Sequence, residues 1–426
     1  MLKKIRATHP ATLVALLCVV LSVAYYSWDQ IHYSVDHGDN LSDVLCRYSE
    51  ANGIRAGECY ADLGFTSNYG LADIAYGHAV ENAGSKHDRN MCTSTETCVY
   101  LHTAPGTELL TGLATRLYGK GHIAKYRAVP LTIACLALAF LAWAMVAAVG
   151  AVRAACVLAT FYFVPMITAS MHSLCFVNYE IALLEAEIAV LFFCFFRGTS
   201  IRACCGGLFF LGFCSGWISY DYLAHVALVA TCVWLLRGDL KAQTRMLLWC
   251  TAASCAGYFL ACALHLYQVA AFLGSWKAMW DDYVTRGTAR MAGRVEATVS
   301  TLSATELLKL YWTKQLNLPQ FFRGNYLLTS GVVMVGLLIR KLPGVRIGGA
   351  KYTWAPIPSL KWAFLVASVI PLVWIVFVRQ HASAHSFYVP RNFGVTFIFG
   401  AIAFTMGLRR EVVKEVPGVQ AAPSTG

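Results

Sequence analysis

Long apolar segments alternate with short polar ones along most of the chain. A helix needs roughly 20 apolar residues to cross a bilayer. Ten segments come close to that length, at 11–27, 127–149, 154–171, 179–196, 204–219, 222–236, 246–273, 326–340, 361–378 and 393–408. The fifth and sixth are separated by Tyr220-Asp221-Tyr222, which interrupts an otherwise apolar stretch. The pattern predicts an all-α polytopic membrane protein with about ten transmembrane helices.

The composition supports this fold class. The chain of 426 residues is 58% hydrophobic and 13% charged, whereas about 25% of the residues in an average soluble domain are charged. So little charge excludes a single-domain cytosolic enzyme and an intrinsically disordered chain. The formal net charge of +11 does not by itself indicate nucleic-acid binding, because basic residues of a membrane protein mark its cytoplasmic face.

The basic residues also predict the orientation. If the N-terminus is cytoplasmic, 17 of the 34 Lys and Arg residues fall in short cytoplasmic stretches, and the short outside loops 172–178 and 220–221 hold none. Two outside loops are long, at 28–126 and about 274–325, and we expect them to carry helices at the membrane surface. The chain then divides into an N-terminal transmembrane module (1–273), the second outside loop (274–325) and the C-terminal helices with the tail (326–426).

Acidic residues concentrate just after the first apolar segment. The loop 28–126 holds 12 of the 23 Asp and Glu residues and six of the 12 His residues. Asp29, Asp36 and Asp39 lie within its first 12 residues, where a carboxylate suits a general base that meets a substrate arriving from the lipid. The alternative is a solvated acidic loop that caps the following helix.

Three further sets of polar residues are candidates for binding. Glu180 begins an apolar segment, where a carboxylate is expensive, although it could also snorkel to the surface. Arginines at i, i+4 and i+8 in the second outside loop share one helix face and suit phosphate or, alternatively, lipid headgroups. A short outside loop holds two more arginines and two histidines, which indicates an anionic ligand. The basic candidates are Arg286, Arg290, Arg294, Arg379, His381, His385 and Arg391.

A turn motif ends the first outside loop. Residues 101–110 read Leu-His-Thr-Ala-Pro-Gly-Thr-Glu-Leu-Leu, in which Pro105-Gly106 predicts a turn followed by an amphipathic surface helix. This motif, the Gly38-Asp39 region and the loop from Arg379 to Arg391 resemble elements of the glycosyltransferase C superfamily. More narrowly, the chain resembles the polytopic enzymes related to protein O-mannosyltransferases and lipid A aminoarabinose transferases, with Ala104 where that family often has proline.

The resemblance implies a fold, a reaction and roles for the residues. The donor would be a sugar on a polyprenyl phosphate, used on the outside face with inversion at the anomeric carbon. Asp39, then Asp36, then Asp29 would be the general base, and the Arg and His residues named above would bind the phosphate. His102 and Glu180 would line the substrate pocket. The acceptor would be a protein, glycan or lipid hydroxyl.

The sequence gives less support to other functions. The chain has no Walker A, H-E-x-x-H, G-x-S-x-G or dinucleotide motif, and no Cys/His spacing matches a zinc site. We therefore expect no bound metal and no nucleic-acid partner, although a divalent metal could assist the acids. A transporter or flippase of lipid-linked sugars is the main alternative. The sequon Asn40-Leu41-Ser42 would put a glycan beside Asp39 in the ER, which favours the bacterial inner membrane over the ER membrane.

Overall fold

The structure is a computed structural model with eight helices of defined bounds in the part of the chain it describes. They are α1 (Ile123–Val149), α2 (Phe176–Arg197), α3 (Ile201–Ile218), α4 (Leu223–Arg237), α5 (Thr244–Leu273), α6 (Ala304–Thr313), α7 (Pro358–Phe377) and α8 (Gly394–Gly407). The described residues are 12–17, 20–21, 24, 106, 110, 113, 117–118, 123–151, 153–155, 157–158, 176–218, 220–237, 243–281, 283–284, 303–313, 315–316, 324–325, 342–347, 350–354, 358–377 and 394–411.

Seven of the ten predicted apolar segments coincide with these helices to within four residues at either end. The predicted break between α3 and α4 is confirmed, because Tyr220–Tyr222 forms a single 3-10 turn between them. The segment 11–27 is helical at its described positions, as are the first residues of 154–171. The segment 326–340 lies outside the described residues, so the number of ten spans stays a prediction.

The described helices include membrane-spanning ones. Three stretches are long and apolar enough to cross a bilayer: Leu131–Val149, Ile201–Ile218 and Thr244–Ala271. Shorter apolar helices occur in α4, α7 and α8. The chain is therefore a mainly helical membrane protein, as the pattern predicts.

The all-α prediction was incomplete, because the described residues also include five short strands. Strands β3 (Leu342–Ile347), β4 (Ala350–Trp354) and β5 (Leu408–Glu411) form an antiparallel sheet in the order β3-β4-β5, and β1 (Gln315–Leu316) pairs with β2 (Gly324–Asn325). No strand was predicted between the apolar segments 326–340 and 361–378 or after 393–408. Strand β4 precedes α7 and β5 follows α8, so their pairing brings the start of α7 and the end of α8 together.

Helices α3 and α5 pack with their backbones in close contact. A Cβ added at Gly216 would lie 2.6 Å from the Tyr258 carbonyl oxygen, and Cβ atoms at Gly212 and Gly257 would overlap the Ser254 and Phe209 carbonyl oxygens. Gly212-x-x-x-Gly216 is thus a helix-packing motif, as the sequence indicates. Helices α1 and α2 instead pack through aromatic rings, with the Trp143 and Phe193 centroids 4.9 Å apart.

A proline in α7 is accommodated by its neighbour α8. Pro371 lacks the backbone N–H that would bond the Ala367 carbonyl one turn earlier. The Thr396 hydroxyl of α8 donates to that carbonyl at 2.9 Å. This bond satisfies a carbonyl that neither lipid nor the helix itself could satisfy, and it joins the last two helices.

Candidate functional site

The site begins where the turn motif meets the end of α3. Gly106 is buried, and a Cβ at this position would lie 2.5 Å from the Trp217 carbonyl oxygen and 3.0 Å from Ile218 Cγ1. Any other residue would force the two segments apart, so glycine is required here by close approach. Gly106 itself is helical, and Pro105 lies outside the described residues, so the predicted turn stays a prediction. The motif that carries the resemblance is therefore anchored to the bundle at the α3–α4 turn.

Tyr220 ties this turn to α5 through two hydrogen bonds. Its hydroxyl bonds to Nδ1 of His265, and its carbonyl oxygen accepts a bond from the Tyr258 hydroxyl at 2.6 Å. Burial raises the pKa of the Tyr220 phenol well above its usual range. The phenol therefore stays protonated and keeps its hydrogen bond across the physiological pH range.

His265 itself is fully enclosed. Its side chain is 0% exposed, and its Nε2 has no hydrogen-bond partner among the described residues. An imidazole has two ring nitrogens that take part in hydrogen bonds. The bond to Tyr220 thus fixes the ring through Nδ1 and leaves Nε2 as the atom available to a further group.

Tyr222 anchors the other side of the turn. Its ring stacks on His225 with centroids 4.2 Å apart and an interplanar angle of 7°. Both side chains are buried, at 3% and 4% exposure. The three-residue turn is therefore held on each side by a tyrosine–histidine pair.

Helix α2 contributes three buried carboxylates. Glu180, Glu185 and Glu187 are 0%, 1% and 3% exposed, so the alternative in which Glu180 snorkels to the surface is wrong. Oε1 of Glu187 accepts a hydrogen bond from the Ser254 hydroxyl of α5 at 2.9 Å. Neither oxygen of Glu185 has a hydrogen-bond partner in the described part of the chain. Buried carboxylates are expensive, and they are therefore functional candidates.

The described residues do not form a metal centre. In these ranges no group of three or more His, Cys, Asp or Glu side chains is arranged to hold an ion. Nine described cysteines are free thiols, and the sulfur atoms of Cys194 and Cys250 lie 3.7 Å apart. The predicted absence of a metal stays a prediction for the chain as a whole.

Most of the predicted site residues lie outside the described residues. This holds for the base candidates Asp29, Asp36 and Asp39, for His102, and for the basic candidates Arg286, Arg290, Arg294, Arg379, His381, His385 and Arg391. Glu180 is the one predicted site residue with a described side chain. The loop cysteines Cys46, Cys59, Cys92 and Cys98 also lie outside.

Sequence reasoning missed His225 and His265. Each is a single imidazole inside an apolar helix, and an ionisable residue within a span is a functional candidate by that fact alone. The sequence analysis instead placed all of its histidine candidates in the outside loops. Their pairing with Tyr222 and Tyr220 needs the fold, because Tyr220 and His265 are 45 residues apart.

The chain was compared with known protein families, curated proteins and solved structures. No protein-family model matches the chain, and no curated protein and no solved structure matches it significantly.

Proposed function

We propose that this protein is an integral-membrane glycosyltransferase. It would move a sugar from a polyprenyl-phosphate donor to a hydroxyl of a protein, glycan or lipid acceptor. The proposed location is the bacterial inner membrane with the reaction on the periplasmic face, and the ER membrane is the alternative. The proposal draws on the resemblance of three segments to the glycosyltransferase C superfamily and on the membrane-spanning helices.

One structural observation supports it most. Gly106, in the motif that resembles the family, is buried against the Trp217 carbonyl, three residues before the Tyr220–His265 pair begins. A surface linker would need no such contact, and most connecting segments run over the surface without one. The contact favours a motif that belongs to a built site at this end of the bundle.

The proposed reaction is a displacement at the anomeric carbon. The acceptor oxygen would form the new bond to that carbon while the bond from carbon to the phosphate oxygen breaks. A carboxylate, Asp39 before Asp36 and Asp29, would take the acceptor proton. The polyprenyl phosphate would leave with the bonding electrons, and its charge would be stabilised by arginine and histidine side chains of the two later outside loops. No cofactor is needed for this balance.

The test uses the purified protein in nanodiscs with polyprenyl-phosphate sugars as donors and membrane extract as acceptor. Transfer of labelled sugar should disappear in Asp39→Asn and persist in Asp88→Asn, a matched change in the same loop. Loss in Asp36→Asn instead would move the base to that residue. Addition of EDTA tests whether a divalent metal assists. Failure of the wild-type protein to consume any donor would overturn the proposal.

Glu185 favours a second candidate, the transport of lipid-linked sugars. Transporters keep polar sites near the bilayer midplane, and Glu185 lies nine residues after Phe176, about 14 Å along α2. Movement of fluorescent polyprenyl-phosphate sugar across liposome bilayers separates the two functions. Transport that is lost in Glu185→Gln while Asp39→Asn retains it would select the transporter; sugar transfer with the reverse pattern would select the enzyme.

A further inference from the structure

Four cysteines from three helices come together where α2 ends and where α3 and α5 begin. Cys194 lies near the end of α2, and Cys250 lies near the start of α5. Cys204 and Cys205 lie near the start of α3. The sulfur atoms of Cys194 and Cys250 are 3.7 Å apart. The Cys204 thiol forms a hydrogen bond with Cys194, and the Cys205 thiol forms one with Cys250. All four are free thiols, so the three helices meet at a continuous series of sulfur contacts.

Contact between thiols distinguishes this cluster from an ordinary buried cysteine. A single buried cysteine behaves as a small apolar residue, and Cys232 of α4, at 0% exposure, is an example for comparison. Two neighbouring thiols have a further possibility, which is a covalent bond. An S–S bond is about 2.05 Å long, so the sulfurs of Cys194 and Cys250 need to approach by only about 1.7 Å. A movement of this size is on the scale of a side-chain rotation.

Exposure differs between the members of the cluster. Cys194 and Cys250 are 1% and 0% exposed, so neither presents its sulfur at the surface. Cys205 is partly exposed and contacts Cys250. It lies near one end of Ile201–Ile218, a stretch long and apolar enough to cross a bilayer. A reactant that arrives from the lipid or from the water at this end of the helix therefore meets Cys205 first.

We propose that these thiols form a reversible disulfide site, at which a hydroperoxide is reduced and Cys194 becomes linked to Cys250. Hydrogen peroxide and an oxidised lipid share the O–O bond that reacts, and the experiment below distinguishes them. Cys205 is the residue that meets the hydroperoxide. The inference is independent of the proposed glycosyltransferase function, because the two use different residues.

Each step balances in atoms and electrons. The Cys205 sulfur attacks the O–O bond, which breaks; Cys205 becomes a sulfenic acid, and its thiol proton passes to the leaving oxygen to give water or an alcohol. The Cys250 sulfur then bonds to the Cys205 sulfur, and the sulfenic oxygen leaves as water. The Cys194 sulfur attacks Cys250, and the proton of Cys194 passes to Cys205, which is a thiol again. Two thiols have then lost two electrons and two protons to one hydroperoxide.

The test maps the disulfides of the full chain in nanodiscs. The reduced protein is treated with hydrogen peroxide or with a phospholipid hydroperoxide, its remaining thiols are blocked, and its peptides are analysed by mass spectrometry. We expect a linked pair of peptides that contain Cys194 and Cys250, which is absent before treatment and disappears with dithiothreitol. Buried thiols react slowly, so the link should form over minutes to hours. A link with one oxidant alone identifies the source, and no link with either overturns the inference.

Matched variants test the role of Cys205. Cys205→Ser should slow formation of the link about tenfold, because the accessible thiol is lost. Cys214→Ser is the control, since Cys214 is another partly exposed cysteine of α3, and it should leave the rate unchanged. Cys194→Ser should stop the sequence one step earlier and accumulate a link between Cys205 and Cys250.

Three results would contradict the inference. An unchanged rate in Cys205→Ser would remove the proposed entry point. A wild-type product that links Cys205 to Cys250 without any link to Cys194 would remove the exchange step. Oxidation of Cys232 at the same yield as the cluster would show that the reaction is unselective. The peptide map of the wild-type protein needs no variant, and alanine replaces serine in any variant that does not fold.

Discussion

Two glutamates of this protein accept a hydrogen bond from a serine, one inside the bundle and one at an exposed helix start. In the bundle, the Ser254 hydroxyl of α5 donates to Glu187 of α2 at 2.9 Å. At the start of α6, the Ser303 N–H donates to Glu306 at 2.7 Å, and the Glu306 N–H donates back to the Ser303 hydroxyl at 3.1 Å. The same two residue types thus join two helices in one place and begin a single helix in the other.

The difference shows what each environment demands of a hydrogen bond. The Ser303–Glu306 pair is exposed to water, so its loss leaves polar groups that water can satisfy. The Ser254–Glu187 pair is enclosed, so its loss leaves a carboxylate oxygen with no replacement for the serine. The buried pair therefore matters for how helices associate, whereas the exposed pair matters for where one helix begins.

The largest expected effect comes from separating α3 and α5. Gly257→Val adds a side chain where even a Cβ would overlap the Phe209 carbonyl, so α5 must shift and take Ser254 with it. We expect a loss of about 3 kcal/mol in the free energy of unfolding, measured by detergent-induced unfolding in bicelles. Gly206→Ala on α3 is the control, because a Cβ there meets nothing within 4 Å. Equal stability of the two variants would contradict the close packing.

The next effect isolates the buried pair. Ser254→Ala removes the donor to Glu187 and should lower the free energy of unfolding by about 1.5 kcal/mol. Ser368→Ala is the matched change, since the Ser368 hydroxyl donates to Phe364 of its own helix and that bond joins no two helices. A larger loss in Ser368→Ala would mean that the buried pair contributes little to helix association.

A smaller effect isolates the exposed pair. Ser303→Ala removes the hydroxyl that caps α6 and should cost that helix about 0.5 to 1 kcal/mol. The change should appear as faster amide hydrogen exchange within α6, with the unfolding of the bundle unchanged. Thr305→Ala is the control, because Thr305 is an exposed residue in the first turn of the same helix. Destabilisation of the whole bundle would show that α6 is not a local element.

The smallest effect is a pH dependence of the same cap. The hydrogen bond from the Ser303 N–H lowers the pKa of Glu306 below its ordinary value of 4.5. A carboxylate with a lowered folded pKa contributes stability that is complete above about pH 4.5 and is lost as the pH falls through the folded value. The Ser303 amide resonance should follow this loss, and in Glu306→Gln it should not move with pH.

The two serine–glutamate pairs also mark what could be read from the sequence. Ser303-x-x-Glu306 is a capping-box spacing that four residues reveal, whereas the sequence analysis predicted surface helices in 274–325 without bounds. The Ser254–Glu187 pair spans 67 residues, and no local pattern connects them. The helices themselves were predictable because the bilayer fixes the length of an apolar segment.

Only part of the candidate site was predictable. Pro105-Gly106 predicted a turn, but only the fold shows that Gly106 lies against Trp217. His265 could have been found as a lone imidazole within an apolar helix. Its hydrogen bond to Tyr220 could not, because it depends on the packing of α5 against the turn. The three-stranded sheet was not predicted, because β4 and β5 pair across two intervening helices and no local pattern connects them.

The pairing of β4 with β5 has a consequence for how the chain is made. Strand β4 leaves the ribosome before α7 and can pair with β3, but its other edge stays open because β5 is encoded after α8. The sheet closes only when both helices have been inserted and the chain has returned to the starting side. The backbone hydrogen bonds between β4 and β5 then join the start of α7 to the end of α8, so the last two helices are tied together only after the whole chain has been made.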